Sequence, residues 1–313
     1  MSSRIPVTVV TGFLGAGKTT LVERWLGELG ADTAVILNEW GEIGIDAELL
    51  GARRGRLIEI AGGCLCCANQ DELALGLASL AEADVPPARV LVETSGAASP
   101  AGVVRAVTSG PARERLRLDG VVIVVDGARL DRVLAFDLAV EQLGFADVVV
   151  VAHADETDDV AVIAERLGAL APAAVVAEAA RGEVRRPTGE RVSLHDLLAL
   201  RDDALQLPPT DRPVHEAIEA VSLCHDGELD EERFGDWMSR ELAEVEARIL
   251  RLKGIVAMAG VDARVILQGV GEAVEVRLGA PWGDESRSSK LVILGLGLDA
   301  AELERGFLSC AVT

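Results

Sequence analysis

The sequence predicts an α/β protein with a doubly wound, mostly parallel sheet, followed by a smaller α+β domain. Short runs rich in Val, Ile and Leu alternate with amphipathic segments through the first two thirds of the chain. Most of these runs are apolar throughout, which is typical of strands covered on both faces. Strands that alternate with helices in this way indicate βαβ units and therefore parallel pairing.

Seven strands are predicted in this first region: Ile5–Val10, Thr33–Asn38, Arg56–Ile60, Arg89–Glu93, Val121–Val125, Asp147–Val151 and Ala174–Ala177. The first helix is predicted over Lys18–Leu29, because its apolar residues recur on one face of a helix and Gly30 follows as a stop. The resulting order of strands and helices is that of a sheet wound from both sides.

The pattern changes near residue 202, where a stretch with three prolines predicts a linker. We therefore expect a first domain over residues 1–201, a linker over 202–213 and a second domain over 214–313. The elements predicted in the second domain are a helix over Glu231–Leu250, strands over Gly254–Met258, Ala263–Gln268, Ala273–Arg277 and Leu291–Leu296, and a helix over Asp299–Leu308.

Composition excludes several classes of function. The 313 residues include 30 Lys and Arg against 51 Asp and Glu, a formal charge of −21. Such a charge disfavours general binding to nucleic acids, which needs clustered basic residues, and binding to anionic membranes. With no secretory signal and no apolar stretch long enough to span a membrane, the sequence suits a cytoplasmic protein. Five cysteines are too few and too unevenly spaced for a disulfide framework.

A phosphate-binding loop follows the first predicted strand and opens the first helix. The segment TGFLGAGKTT contains the pattern G-x-x-x-x-G-K-T in its required strand–loop–helix context. Glycines let backbone N–H groups turn toward a phosphate, and the helix N-terminus adds partial positive charge. We expect Lys18 to reach the β- and γ-phosphates and the Thr19 hydroxyl to bind Mg²⁺. The residues expected to contact the nucleotide here are Gly12, Gly15, Ala16, Gly17, Lys18, Thr19 and Thr20.

Three thiols, Cys64, Cys66 and Cys67, lie close together after the third predicted strand. They can converge on one ion such as Zn²⁺, Co²⁺ or Cu⁺ and leave one tetrahedral position open, which suits a site that must release its ion. The alternatives are cysteines that pack as small apolar residues and a strained disulfide between Cys66 and Cys67. We interpret the cluster as a metal site.

Two further segments are placed to respond to a γ-phosphate. The acidic segment Asn38–Asp46, which includes Glu42, follows the second strand; it is either a segment that nucleotide orders or a solvated loop. Glu93–Gly96 follows the fourth strand at the same sheet edge as the phosphate loop. Glu93 is expected to hold Mg²⁺ and Gly96 to donate its N–H to the γ-phosphate, with Asp126 as a rival acid for the metal.

These motifs together resemble one protein family. GFLGAGKTT, NEWGEIGID, GGCLCC and ETSGAASP, in this order and spacing, are similar to the CobW-like family of P-loop GTPases, and the resemblance extends into the second domain. The family is associated with the handling of zinc, cobalt or iron and with cobalamin biosynthesis. The resemblance implies that Asn38–Asp46 is switch I, that Glu93–Gly96 is switch II, and that the three clustered thiols form the metal motif.

The resemblance also locates the base-recognition loop, where this chain departs from the family. Members carry Asn-Lys-x-Asp after a strand, and here the matching residues are Ala152, His153, Ala154 and Asp155. Asp155 is retained and implies recognition of guanine, while His153 stands where lysine lies over the base. The asparagine and the lysine of the family are absent here. Guanine binding should therefore be weaker, by about 1–3 kcal/mol if their loss removes one satisfied polar contact.

The leading hypothesis is a GTPase metallochaperone that uses GTP and Mg²⁺ and delivers Zn²⁺ or Co²⁺ to a client metalloprotein or cofactor-synthesis enzyme. A homodimer is a candidate assembly. One alternative is a small-molecule kinase that uses ATP on the same phosphate loop, because the base motif is incomplete. Another is a non-catalytic, nucleotide-gated assembly factor whose cysteines only pack.

Overall fold

The structure is a computed structural model that describes residues 4–30, 32–37, 56–59, 70–108, 111–157, 159–199, 219–244, 249–270 and 273–312. The chain divides into two compact units, Met1–Ala204 and Leu205–Thr313. The predicted linker over 202–213 lies outside the described residues, so its conformation stays a prediction. None of the described helices is long and apolar enough to cross a membrane.

In its described residues, the first unit is built on an eight-stranded sheet. Its described elements are β1 (Ile5–Thr11), α1 (Lys18–Leu29), β2 (Thr33–Leu37), β3 (Arg56–Glu59), α2 (Gln70–Glu82), β4 (Arg89–Glu93), α3 (Ala101–Thr108), β5 (Leu116–Asp126), α4 (Leu130–Leu134), α5 (Asp137–Gly144), β6 (Val148–Ala152), α6 (Val160–Leu170), β7 (Val175–Ala180), β8 (Glu183–Arg185) and α7 (Leu194–Ala199). The strand order is β3-β2-β4-β1-β5-β6-β7-β8. All neighbours pair in parallel except β7 and β8, which are antiparallel.

The continuous apolar runs explain why these strands form the interior of the sheet. Every residue of β2 and β6 is buried, as are the last five of β1. Helix α1 begins and ends where the sequence predicts, and its buried residues Leu21, Trp25 and Leu26 pack into the same core cluster as residues of β1, β5 and β6. The mostly parallel fold class is confirmed, and each of the seven predicted strands overlaps a described strand. The predicted strand ends Asn38 and Ile60 lie outside the described residues.

Strand order decides where chemistry can occur in this unit. β1 lies at the centre, between β4 and β5, and the chain winds outward from it on both sides. In open α/β sheets, ligands bind beyond the carboxyl ends of the strands near the point where the strand order reverses. The loops that follow β1, β4, β5 and β6 therefore share one edge.

The described part of the second unit is an antiparallel sheet with two helices. Its described elements are β9 (Glu219–His225), α8 (Glu231–Glu244), β10 (Ile249–Val256), β11 (Ala263–Val270), β12 (Ala273–Pro281), β13 (Ser289–Gly295) and α9 (Ala300–Ser309). The order is β12-β11-β10-β13-β9, with every neighbouring pair antiparallel. The predicted helix over Glu231–Leu250 is too long, because Ile249 and Leu250 are buried in β10, where sheet pairing overrides helix propensity. Strand β9 was not predicted.

An aromatic cluster joins the two helices of this unit to the sheet. Phe234 and Trp237 of α8 lie 5.6 Å apart between ring centroids, and Phe307 of α9 lies 5.8 Å from Trp237. All three are buried. Gly306 permits this approach, because a Cβ added there would lie 2.2 Å from Trp237 Nε1. The absence of a side chain at this helical position is therefore required by packing.

We predict that Gly306→Ala destabilises the protein by about 1–3 kcal/mol, since the added methyl overpacks the contact with Trp237. Gly235→Ala in α8 is the matched control, because a Cβ there meets no atom within 4 Å. That substitution should stabilise the protein by up to about 1 kcal/mol through helix propensity. Urea unfolding followed by tryptophan fluorescence measures both. Equal midpoints for the two variants would contradict the packing argument.

Candidate nucleotide-binding site

The loop between β1 and α1 owes its shape to three glycines. Gly12, Gly15 and Gly17 have φ of 141°, 75° and 92°, a region that other residues rarely adopt. A Cβ on Gly12 would lie 2.1 Å from the carbonyl oxygen of Val124 in β5, so the loop runs directly over the neighbouring strand. Gly17 caps α1 in the left-handed conformation, and Lys18 begins the helix.

Lys18 is held back over this loop. Its Nζ donates to the carbonyl oxygens of Gly12 at 2.9 Å and Phe13 at 3.3 Å, and the residue is buried. Gly96, from the loop after β4, lies against the same group. A Cβ there would fall 2.6 Å from Leu14 N and 2.9 Å from Lys18 Nζ. The structure therefore brings Gly96 to the phosphate loop, as the sequence predicted, and leaves no room for a side chain between them.

A hydrogen bond joins the first turn of α1 to the end of β4. The Thr19 hydroxyl donates to Glu93 Oε1 at 2.9 Å, and Glu93 is buried. Hydroxyl and carboxylate oxygens are the ligands that Mg²⁺ prefers. The rival acid, Asp126, is also buried, but its Oδ2 lies 3.7 Å from Arg129 Nη1. Of the two predicted acids, Glu93 is the one in contact with Thr19.

The segment from Thr94 to Ser99 is fixed at both ends. Thr94 donates from its backbone N–H to Val10 O at 3.0 Å and from its hydroxyl to Thr11 Oγ1 at 2.6 Å. On the other side, helix α5 holds the segment through two consecutive residues, Glu141 and Gln142, which sequence reasoning missed. No sequence motif marks them, because their role arises only when α5 packs beside this segment.

Glu141 and Gln142 act on different parts of the segment. Ser99 Oγ donates to Glu141 Oε1 at 2.6 Å. Gln142 Nε2 donates to the carbonyl oxygens of Ala98 at 2.9 Å and Gly96 at 3.5 Å, and Gln142 is only 1% exposed. Because these bonds are shielded from water, Gln142 orients the peptide groups next to Lys18.

A cavity of about 420 Å³ lies beside the phosphate loop at the ends of β6 and β7. It is lined by Gly17, Thr20, Leu21, Val124, Val150, Ala152, His153, Asp155, Glu156, Ala179, Arg181 and Gly182. Its walls combine apolar side chains with a few polar groups, as ligand pockets do. The structure thus brings His153 and Asp155 into one cavity with Gly17 and Thr20 of the phosphate loop, and their role in base recognition stays a prediction.

Two residues that line this cavity have unusual backbones. His153 and Arg181, with φ of 56° and 50°, are the non-glycine residues of positive φ in the described part of the chain. Arg181 and Gly182 form the two-residue turn between β7 and β8, and both have positive φ, as a type I′ hairpin requires. Arg181 Nε lies 3.6 Å from Asp155 Oδ2. The sequence analysis did not predict this turn. The signal for it was an arginine followed by a glycine between two short strands.

Several predicted site residues lie outside the described ranges. They are Glu42 with the rest of Asn38–Asp46, and Cys64, Cys66 and Cys67. Within the described ranges, no group of three or more His, Cys, Asp or Glu residues could hold a metal. Cys224 is exposed, and Cys310 is buried with its Sγ 3.3 Å from Gly306 O. Burial raises the pKa of the Cys310 thiol, which disfavours the thiolate that metals bind.

Comparison with known proteins identifies the family. Residues 6–178 match the family model described as CobW/HypB/UreG, nucleotide-binding domain, and residues 218–311 match the Cobalamin synthesis protein cobW C-terminal domain. The chain belongs to the CobW/HypB/UreG family. The resemblance inferred from the four motifs is therefore confirmed, and it covers both compact units.

Relatives of this family member match it over nearly its whole length. Zinc chaperone CobW of Pseudomonas aeruginosa is 34% identical, with 96% of this chain and 90% of the relative covered. Zinc chaperone YjiA of Escherichia coli is 29% identical, with 97% of this chain and 98% of the relative covered. The crystal structure of Zn(II)-bound YjiA GTPase from E. coli gives a TM-score of 0.69 at 25% identity, with 99% of this chain and 100% of that chain covered.

We predict that Gln142→Leu loosens the segment from Thr94 to Ser99, because two buried carbonyl groups lose their donor. The cost should be about 1–3 kcal/mol in the free energy of unfolding. Hydrogen–deuterium exchange of the segment should accelerate in the variant. Glu141→Gln is the control, since it keeps an oxygen acceptor for Ser99 and should change exchange little. Unchanged exchange in Gln142→Leu would show that Gln142 does not hold the segment.

Proposed function

We propose that this chain is a GTPase that acts as a zinc metallochaperone, binding and hydrolysing GTP and delivering the metal to a client protein. The observation that carries the proposal is the phosphate loop whose Lys18 and Thr19 meet Gly96 and Glu93 at one sheet edge. This arrangement occurs in a chain aligned over 96% of its length with a relative named as a zinc chaperone.

The described residues suit hydrolysis of a nucleoside triphosphate. The proposed roles are Lys18 toward the β- and γ-phosphates and the Gly96 N–H toward the γ-phosphate, where it would stabilise developing charge. Thr19 and Glu93 provide adjacent oxygen ligands that fit Mg²⁺. Mg²⁺ held by these two residues would supply positive charge that offsets the negative charge of the phosphates. Water then attacks the γ-phosphorus, the bond to the β–γ bridging oxygen breaks, and GDP and phosphate leave.

The cavity beside the loop would hold the base. Its carboxylate, Asp155, can accept from guanine N1–H and N2–H₂, whereas adenine offers no matching pair of donors. His153 and Arg181 line the same cavity and supply planar groups that could stack on the base where the family uses lysine. Guanine is therefore the base we propose, although Ala152 and His153 replace two of the four family residues.

Zinc is proposed as the cargo, with cobalt as the second candidate. The proposed ligands are the thiols of Cys64, Cys66 and Cys67, and Glu42 is proposed to contribute to the segment that responds to nucleotide. In the sequence, Glu42 follows β2 and the three cysteines follow β3, and these two strands belong to the same sheet as β1 and β4. A client metalloprotein or cofactor-synthesis enzyme would receive the ion in the cytoplasm.

The ATP-using kinase stays a second candidate because of the departure at Ala152 and His153. We predict that wild type prefers GTP over ATP in competition for a fluorescent nucleotide. Asp155→Asn should weaken GTP binding by at least about tenfold, because the amide places donors opposite the donors of guanine. ATP binding should change little.

Asp159→Asn is the matched control for this experiment. The Asp159 carboxylate accepts from Val162 N at 3.1 Å at the start of α6 and does not line the cavity. The GTP affinity of the Asp159→Asn variant should equal that of wild type. A wild-type preference for ATP would overturn the proposed guanine specificity and favour the kinase.

Coupling between nucleotide and metal is tested by titrating Zn²⁺ and Co²⁺ into wild type and Cys66→Ala with GTP or GDP present. We expect zinc to bind wild type more tightly than Cys66→Ala, with an affinity that differs between GTP and GDP. Affinity should rise with pH, since cysteine releases a proton when it binds a metal. Cys224→Ala, which removes an exposed thiol of the second unit, should behave as wild type. Identical affinities in every combination would contradict the chaperone and favour a non-catalytic assembly factor.

A further inference from the structure

Strand β12 forms the outer edge of the second sheet and carries an exposed row of apolar side chains. β11 is its neighbour in the described strand order, and its other edge has no described partner. Val276 and Leu278 are 61% and 67% exposed. An edge strand of this kind is a template for pairing with another strand.

The exposed row continues the hydrophobic core of the same unit. Val276 pairs with Leu267 and Leu278 with Val265, and both partners on β11 are buried. Directly paired residues of antiparallel strands point to the same face, so Val276 and Leu278 lie on the face that bears the core. Val274, two residues earlier, packs against that core. The apolar surface on this face therefore continues beyond the core to the exposed side chains of Val276 and Leu278.

Charges on the other face make this edge complementary to itself. Glu275 and Arg277 flank Val276, and side chains alternate between faces along a strand, so both lie on the face opposite the apolar row. An antiparallel copy related by a two-fold axis at Val276 would set Glu275 opposite Arg277 of the second copy, twice. The same register sets Val276 against its equivalent and Val274 against Leu278.

We propose that β12 is a homodimerisation edge that pairs with β12 of a second copy in this register. Moving the axis to Glu275 or Arg277 would set like charges directly opposite each other, which is unfavourable. Both charged side chains also make contacts within their own chain, and a carboxylate and a guanidinium have enough acceptor and donor sites to share. The proposal is independent of the nucleotide and metal chemistry.

The formal charge of −21 on each copy opposes association at long range. The full chain is therefore measured at about 0.15 M salt, where the Debye length is about 8 Å, by sedimentation velocity over a range of protein concentrations. Wild type is expected to form a concentration-dependent dimer. E275R and R277E are each expected to be monomeric, because each sets like charges opposite each other.

Restoring complementarity tests the register itself. The double variant E275R/R277E is expected to dimerise again, and an equimolar mixture of the two single variants is expected to form a heterodimer. Glu165→Arg reverses the charge of an exposed residue in α6 and is expected to dimerise as wild type does. Circular dichroism confirms that each variant is folded.

Three results would overturn the proposal. The first is a wild type that sediments as a monomer at every concentration, which would leave the edge for a strand of another protein. The second is a dimer that persists unchanged in both single variants, because it would use another surface. The third is that the double variant is folded but monomeric and that the mixture of the two single variants also stays monomeric.

Discussion

The parallel pairing of β1 with β4 is the contact on which the candidate site depends. Its register sets Val10 beside Glu93, so the two strands end at the same level. The Thr94 hydroxyl then meets Thr11, and Glu93 reaches Thr19 at the start of α1. A shift of one residue would turn Glu93 to the opposite face of the sheet. The buried strands that lock this register therefore also place the acid beside the phosphate loop.

Close backbone approach is the second constraint on the site. Gly12 runs over β5 and Gly96 lies against Lys18, and a methyl group at either position would collide with the neighbouring atoms. Gln142 holds the carbonyl side of the Gly96 peptide from helix α5. Groups from three separate regions of the chain thus converge on one short loop. Fixing them before a ligand arrives lowers the ordering cost of binding.

Two residues that line the cavity beside the phosphate loop have strained backbones. His153 and Arg181 adopt left-handed backbones, which cost energy and are found preferentially at functional sites. A Cβ added to Gly182 would lie 3.2 Å from the carbonyl oxygen of Thr20. The turn at Arg181 and Gly182 is therefore packed against the start of α1. The cavity wall is thereby tied to the phosphate loop.

Much of this protein's fold could be predicted from local patterns of apolar residues in the sequence. Strands such as β2 and β6 were predictable because burial on both faces requires uninterrupted apolar residues, and α1 because its apolar stripe begins at the loop and ends at Gly30. The predicted end of α8 was wrong because the residues that start β10 are apolar enough for either a helix or a strand. Pairing with β11 and β13 makes them a strand. β8 is too short to show a period.

The amino-acid sequence by itself determined the family, and it indicated the phosphate loop, the acid at the end of β4 and the aspartate proposed for base recognition. Each of these is marked by residues close together along the chain. Only the tertiary structure decided that Glu93 contacts Thr19, that Gln142 holds Gly96, and that Arg181 faces Asp155. These pairs lie far apart in the chain. Their contacts depend on which strands become neighbours, and that follows from packing the whole sheet.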